Sequence, residues 1–334
     1  MTTAPKLALS LAFGANPRCQ PILDGTVGVE GVALAASDVH AAELFHRQLA
    51  HQEFDVSEMS ISSLLMIMAA GNTDWVALPI FTTRHFFGTG AYVNADAGIT
   101  KPEDLRGRRI GLNEYQITAG LWSRGYFQHE HGLDRSSVEW WQERTPETSH
   151  AGASGFQPPA DVTVKQIPAS TSMGEMLVAG ELDAILVYFW GGGVNRSTID
   201  LAKHPKARLL FKDPAAEAAR YYAKTGIFPF NHTVVVRRSI YERHPWVARS
   251  LLEAFEKAKQ RSYAVMRDAV GAWVDTGIVP QAPVRTGLAK DLYPYGLAAN
   301  RNVVETAMRF SHEQGLTPRV MTPEEVFAPA LLDS

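Results

Sequence analysis

Short apolar strands alternate with helices from the first residues of this chain, and each strand runs into a polar loop. Leu7, Leu9, Leu11 and Phe13 share one face and predict a strand over Leu7–Phe13; residues 32–36 predict a second. A helix over Ala41–His51, a short strand over 55–59, a helix over 61–70 stopped by Gly71, and a strand over 75–81 follow. Repeated β-α-β units with short links force a mostly parallel sheet with helices on both faces. Ligands of such sheets bind beyond the carboxyl ends of the strands. The loops at those ends span 14–18, 57–63 and 82–85; all are polar, and two carry an arginine (Arg18, Arg84).

After Tyr92-Val-Asn94 the pattern restarts. A Pro/Gly-marked connector (98–107), a strand at Ile110 and a helix opening at Thr118 come first; a strand over 162–167, a helix over Met173–Ala179 and a strand over 183–188 complete it. Residues 145–160 are rich in Gly, Ser and Pro and read as a long surface loop, either a lid or a contact for a second copy in a homo-oligomer. Residues 231–237 are β-rich and return the chain to the first lobe. An amphipathic helix over 246–266 and another over 302–314 close the sequence. The expected architecture is α/β and two-lobed, each lobe a mostly parallel sheet flanked by helices with a cleft between them. Residues 1–95 with 231–334 form lobe 1, and 96–230 form lobe 2.

At 334 residues there is enough chain for two cores. A net charge of −3 gives no reason to expect nucleic acid or an acidic membrane surface as partner. No apolar run approaches the roughly 20 residues that span a bilayer. Cys19 is the only cysteine, so an internal disulfide and a Cys-based zinc cluster are excluded. Lys6 followed by an apolar stretch can pass for a weak signal peptide, but the alternation over Leu7–Phe13 favours a strand and, with it, a cytoplasmic protein. No organic-cofactor motif, phosphate loop or metalloprotease spacing is present; a divalent metal held by His and Glu from distant segments stays open.

The loop before Thr118 makes the best anion site, because the first amides of a helix lack internal acceptors; Gln116 and Thr118 belong to it. Arg124, on the same helix, would grip the ligand's other side or sit at the surface. Arg18 suits a carboxylate clamp, or is a solvated loop arginine. Ser60 and Ser62 bind ligand, cap a helix, or both. Glu58 is an acid or base only if buried. Tyr188 and Trp190 end a strand and can stack on an aromatic ring or simply pack.

Asp104-Leu-Arg-Gly-Arg-Arg-Ile-Gly111 and Gly180-Glu-Leu-Asp-Ala184 resemble segments of the type II periplasmic-binding-protein fold. Asp55-Val-Ser-Glu-Met-Ser60, Tyr115-Gln-Ile-Thr-Ala119 with Trp122, Arg124 and Gly125, Phe228-Pro-Phe-Asn-His-Thr233 and Leu292-Tyr-Pro-Tyr-Gly296 are similar to the 4,5-dihydroxyphthalate decarboxylase family, in register over nearly the whole chain. Where the family pattern carries Arg-x-Phe-Arg-His, this chain reads Arg84-His-Phe-Phe-Gly88, so Phe87 and Gly88 replace a charged pair.

The resemblance implies a non-oxidative decarboxylase of a small hydroxylated aromatic carboxylate. Direct loss of carbon dioxide would leave an unstable aryl anion. The accessible route deprotonates a ring hydroxyl, protonates the ring carbon bearing the carboxylate, and then expels carbon dioxide as aromaticity returns. By family position Arg84 becomes a carboxylate clamp and His232 the proton shuttle, with His85 a further proton carrier. The competing expectation is a solute receptor or ligand sensor on the same scaffold, which binds without turnover.

Overall fold

The computed structural model describes residues 5–189, 195–278, 287 and 290–334; Trp190 and Gly191–Gly193 lie outside the described residues. In lobe 1, β1 (Leu7–Phe13) runs parallel to β2 (Val32–Asp38) on one side and to β3 (Val56–Ser60) on the other. β4 (Trp75–Leu78) forms the far edge. Lobe 2 holds β5 (Tyr92–Asn94), β6 (Arg109–Leu112), β7 (Glu139–Gln142), β8 (Thr163–Gln166), β9 (Ala184–Ile185) and β10 (Ala207–Leu209), ordered β10-β5-β9-β6-β7-β8. The chain returns as β11 (His232–Arg237), which inserts between β3 and β4.

Each sheet is mostly parallel, as expected, with one strand reversed, and the reason for the reversed strand is topological. β11 arrives in lobe 1 from lobe 2 and pairs antiparallel with β3 and β4. β5 arrives in lobe 2 from lobe 1 and pairs antiparallel with β9 and β10. Tyr92–Asn94 therefore belongs to the second sheet, which moves the expected lobe boundary from residue 95 to before Tyr92.

The first helices are α1 (Gln20–Leu23), α2 (Ala41–His51), α3 (Ile61–Ala69) and α4 (Thr118–His131). α2 buries Ala42, Leu44, Phe45 and Gln48 on one face, and Gln48 brackets Phe54 through both backbone groups (2.9 and 3.0 Å), which aims the chain into β3. α3 buries every residue from Ile61 to Ile67, so it is a core helix without a solvent face. The long surface loop expected over 145–160 instead contains α5 (His150–Ser154), capped by Ser149 and packed on α2 and α3 of the opposite lobe.

α6 (Met173–Ala179) and α7 (Pro214–Thr225) cover lobe 2, and α8 (Arg238–Arg243) leads into α9 (Trp246–Asp275), longer than expected. α10 (Arg301–Glu313) lies so close to α4 that a Cβ at Gly125 would fall 2.1 Å from the Phe310 ring. One apolar core runs through both lobes, joining Leu44, Phe45 and Leu64 to Ile110, Trp122 and Trp140. Separate clusters cover the outer face of each sheet, under α1 and α9 in lobe 1 and under α6 in lobe 2.

Candidate active site

A cavity of about 460 Å³ opens between the lobes where the loops at the strand ends meet. Lobe 1 contributes Phe45 from α2, Ser60 from the end of β3, and Asn231 and His232 from the start of β11. Lobe 2 contributes Thr118 from the first turn of α4, Arg144 beyond β7, His150 from α5, and Tyr188.

His232 is held from behind. Its Nδ1 lies 3.0 Å from Glu58 Oε1 and 3.2 Å from Thr83 Oγ1, which fixes the Nδ1–H tautomer and leaves Nε2 as the reactive nitrogen. Glu58 is fully buried and also accepts from Thr82 Oγ1 and from the Gly14 amide at 3.2 Å. Burial pushes its carboxyl up, but the His232 charge and these hydrogen bonds outweigh burial and hold it below the usual carboxylate range. The Phe45 ring stands edge-on to His232 (4.6 Å) and to His150 (5.4 Å), separating the two imidazoles.

The opposite wall uses a second buried carboxylate. Glu114 Oε1 accepts from Arg144 Nη1 at 2.7 Å, and Oε2 accepts from the His150 and Ala151 amides at 2.9 and 3.3 Å. One side chain thus orients the cavity's arginine and caps α5. Arg144 Nη2 is 3.2 Å from Asn195 Oδ1, another lining residue. Burial lowers the His150 pKa, favouring the neutral ring; Nε2 lies 3.2 Å from the Ala42 carbonyl, and Nδ1 is without a partner. Among the described residues no group of three or more His, Cys, Asp or Glu is placed to hold a metal ion.

Four of the residues singled out from sequence line this cavity: Ser60, Thr118, Tyr188 and His232. Ser60 Oγ meets Thr118 Oγ1 at 2.8 Å, joining the two lobes. Ser62 and Gln116 sit one layer behind, where the Ser62 hydroxyl donates to the Gln116 carbonyl at 2.6 Å. Tyr188 donates to the Ile199 carbonyl at 2.7 Å, and burial raises its hydroxyl to about 12.

The other four lie elsewhere. Arg84 is buried, with Nη1 donating to the Phe228 carbonyl at 2.7 Å and Nη2 to Asn300 Oδ1 and the Pro294 carbonyl. Its two terminal nitrogens are thus held by three loops, and it does not line this cavity. Arg18 stacks on Tyr293 at 3.8 Å and donates to the Thr82 carbonyl. His85 is exposed beside Phe87. Arg124 follows Thr118 by six residues, a rotation of roughly 600° that takes it off the cavity face. It stacks on Tyr115 at 3.9 Å and bonds Gln314 at 2.8 Å.

Arg144 and His150 were missed by the sequence reading. The signal for Arg144 is its place just past the carboxyl end of β7, a strand that residues 139–142 do not announce, since only Trp140 of the four is buried.

Fold and site together define a cavity lined by His232, His150 and Arg144 in the cleft of a two-lobed, binding-protein-like scaffold. The fold likeness is direct: the aliphatic sulphonate binding protein SsuA from Escherichia coli superposes with a TM-score of 0.54 at 13% identity, over 97% of this chain and 92% of that one. The alkanesulfonate-binding protein SsuA from Xanthomonas axonopodis pv. citri gives 0.52 at 13%, over 98% and 99%. No family model matches the chain. A 4,5-dihydroxyphthalate decarboxylase from Comamonas testosteroni is 33% identical over 331 residues, 98% of each chain. Another, from Pseudomonas putida, is 36% identical over 217 residues, 65% of this chain and 82% of that one. The chain belongs to the 4,5-dihydroxyphthalate decarboxylase family.

Proposed function

We propose that this chain is a non-oxidative decarboxylase of a hydroxylated aromatic carboxylic acid resembling 4,5-dihydroxyphthalate. The observation that carries the reading is the pairing of His232 on Glu58 with Arg144 on Glu114 across one cavity, in a chain aligned end to end with a decarboxylase. Ring protonation needs a proton donor against the carbon that bears the leaving carboxylate. His232 Nε2 supplies it, with Glu58 stabilising the imidazolium from which the proton departs. The hydroxyl para or ortho to that carbon gives its proton to His150, whose burial favours the neutral, proton-accepting ring.

As the ring carbon gains its proton, the ring becomes a dienone. The C–C bond to the carboxylate then breaks, its electron pair restores aromaticity, and carbon dioxide leaves beside the apolar Phe45 face. Arg144 holds the carboxylate that is retained, and the first amides of α4 with the Ser60–Thr118 hydroxyls share its charge. The product oxygen regains its proton from His150, and His232 Nε2 takes up one proton from solvent per turnover. These proton transfers complete the scheme, so we propose that the reaction needs no organic cofactor and no metal; unchanged turnover after chelator treatment supports this, and loss restored by a divalent ion refutes it.

Purified protein mixed with 4,5-dihydroxyphthalate and a panel of hydroxybenzoates tests the reading. Release of one carbon dioxide per substrate, with matching loss of ultraviolet absorbance, is expected. Saturable binding with no gas released would return the chain to the receptor class of its structural neighbours.

A further inference from the structure

Asn231 lines the cavity one residue before the proton carrier, and its amide is half used. Nδ2 lies 2.7 Å from His232 Nε2, while the buried Oδ1 makes no hydrogen bond. Across the imidazole, Nδ1 keeps its proton on Glu58 (3.0 Å) and Thr83 (3.2 Å), so Nε2 is the nitrogen whose protonation changes. A bare Nε2 accepts from the Asn231 N–H. A protonated Nε2 would face that N–H donor to donor, and half a turn of the amide removes the conflict by presenting Oδ1 as acceptor.

We propose that Asn231 is a positioning residue whose amide turns over with the protonation state of His232 Nε2, keeping the ring aimed into the cavity before and after it gives up its proton. The inference rests on the role given to His232 above. The other charged or titratable groups around this imidazole are Glu58 on β3 behind it, His150 on α5 across Phe45, and His40, Arg144 and Tyr188 in the same cavity. None of them is hydrogen-bonded to Nε2. Asn231 therefore supplies the only direct protein partner seen at that nitrogen among the described residues.

The test is nitrogen NMR on the full-length, ligand-free protein between about pH 5 and 9, the range in which histidine changes charge. The His232 imidazole and the Asn231 side-chain amide are assigned by comparison with His232→Gln and Asn231→Ser. The two groups are expected to titrate with one midpoint. Asn231→Asp should move the His232 midpoint up by about one unit or more, since a fixed acceptor favours Nε2–H. Asn231→Leu should lower kcat about tenfold, with KM held within about twofold.

Asn231 amide signals that stay flat while His232 titrates overturn the proposal, and this arm needs no variant to fold beyond those used for assignment. It also needs no substrate. A shared midpoint in a protein that releases no carbon dioxide would sink the decarboxylase reading and leave the amide turnover standing.

Discussion

Glu58 and Glu114 are both fully buried behind the cavity wall, yet they are held by different kinds of structure and hold different kinds of group. Glu58 lies on β3, between β1 and β11, and its partners come from sheet strands and the loops that leave them. Glu114 lies in the loop after β6, and its partners Arg144, His150 and Ala151 belong to the connection that leaves lobe 2 and packs on α2 and α3. Burying a carboxylate is costly unless it is paired, so neither persists as mere packing. The contrast assigns them separate work. Under the proposed mechanism the sheet-borne carboxylate fixes a proton carrier, whose transfer distance tolerates little error, and the loop-borne one fixes a cation and a helix start, which can dock with the ligand.

The largest expected effect tests the rigid side. His232→Gln keeps a donor for Glu58 but carries no transferable proton, and kcat should fall by roughly 10² to 10⁴ with the thermal melt little changed. Next, Arg144→Lys keeps the charge and loses the two-pronged fork; KM should rise roughly tenfold or more while kcat changes less. If His232→Gln chiefly raised KM and Arg144→Lys chiefly lowered kcat, the division between the two walls would collapse. Steady-state kinetics on the two variants decide it.

A smaller effect should show in stability against pH. The folded pKa of His150 lies below its unfolded value of about 6.5, so its contribution is complete above that pH and is lost as pH falls through the folded value. Glu58 is likewise depressed, and its contribution is lost on acidification below about 4.3. Melting temperatures followed downward in pH should fall in two stages. His150→Leu should remove the upper stage, and Glu58→Gln should flatten the lower one. A single acid transition unaffected by either variant would contradict the assigned environments.

The legible parts of the sequence were those governed by local pattern. Ala41–His51 and Met173–Ala179 show their periodicity and end where expected, because one face of each packs on a sheet. β5 was less legible, since three residues carry no period and only the antiparallel partners β9 and β10 assign it to lobe 2. The site divides the same way. Ser60 and Thr118 follow from a strand end and a helix start and His232 from the family resemblance, whereas His150 reaches the cavity through a five-residue helix in a stretch with no periodicity. The arginines mislead for a physical reason. A guanidinium near the cleft is equally suited to loop carbonyls, and nothing local says which it meets.

Arg84→Met turns that ambiguity into the smallest effect on binding expected of any arginine considered. The substitution leaves the Phe228 and Pro294 carbonyls and the Asn300 amide oxygen without their donor, which should cost about 1–3 kcal/mol of stability. KM should stay within about twofold of the parent, because the guanidinium does not line the cavity. Arg144→Met makes the matching control, with the loss of affinity falling on the cavity arginine. A large rise in KM for Arg84→Met at a temperature well below its melt would mean that the cleft rearranges on binding to bring Arg84 onto the ligand. Glu114 would then not be the carboxylate that sets substrate recognition, and the contrast between the two walls would have to be redrawn around Arg84.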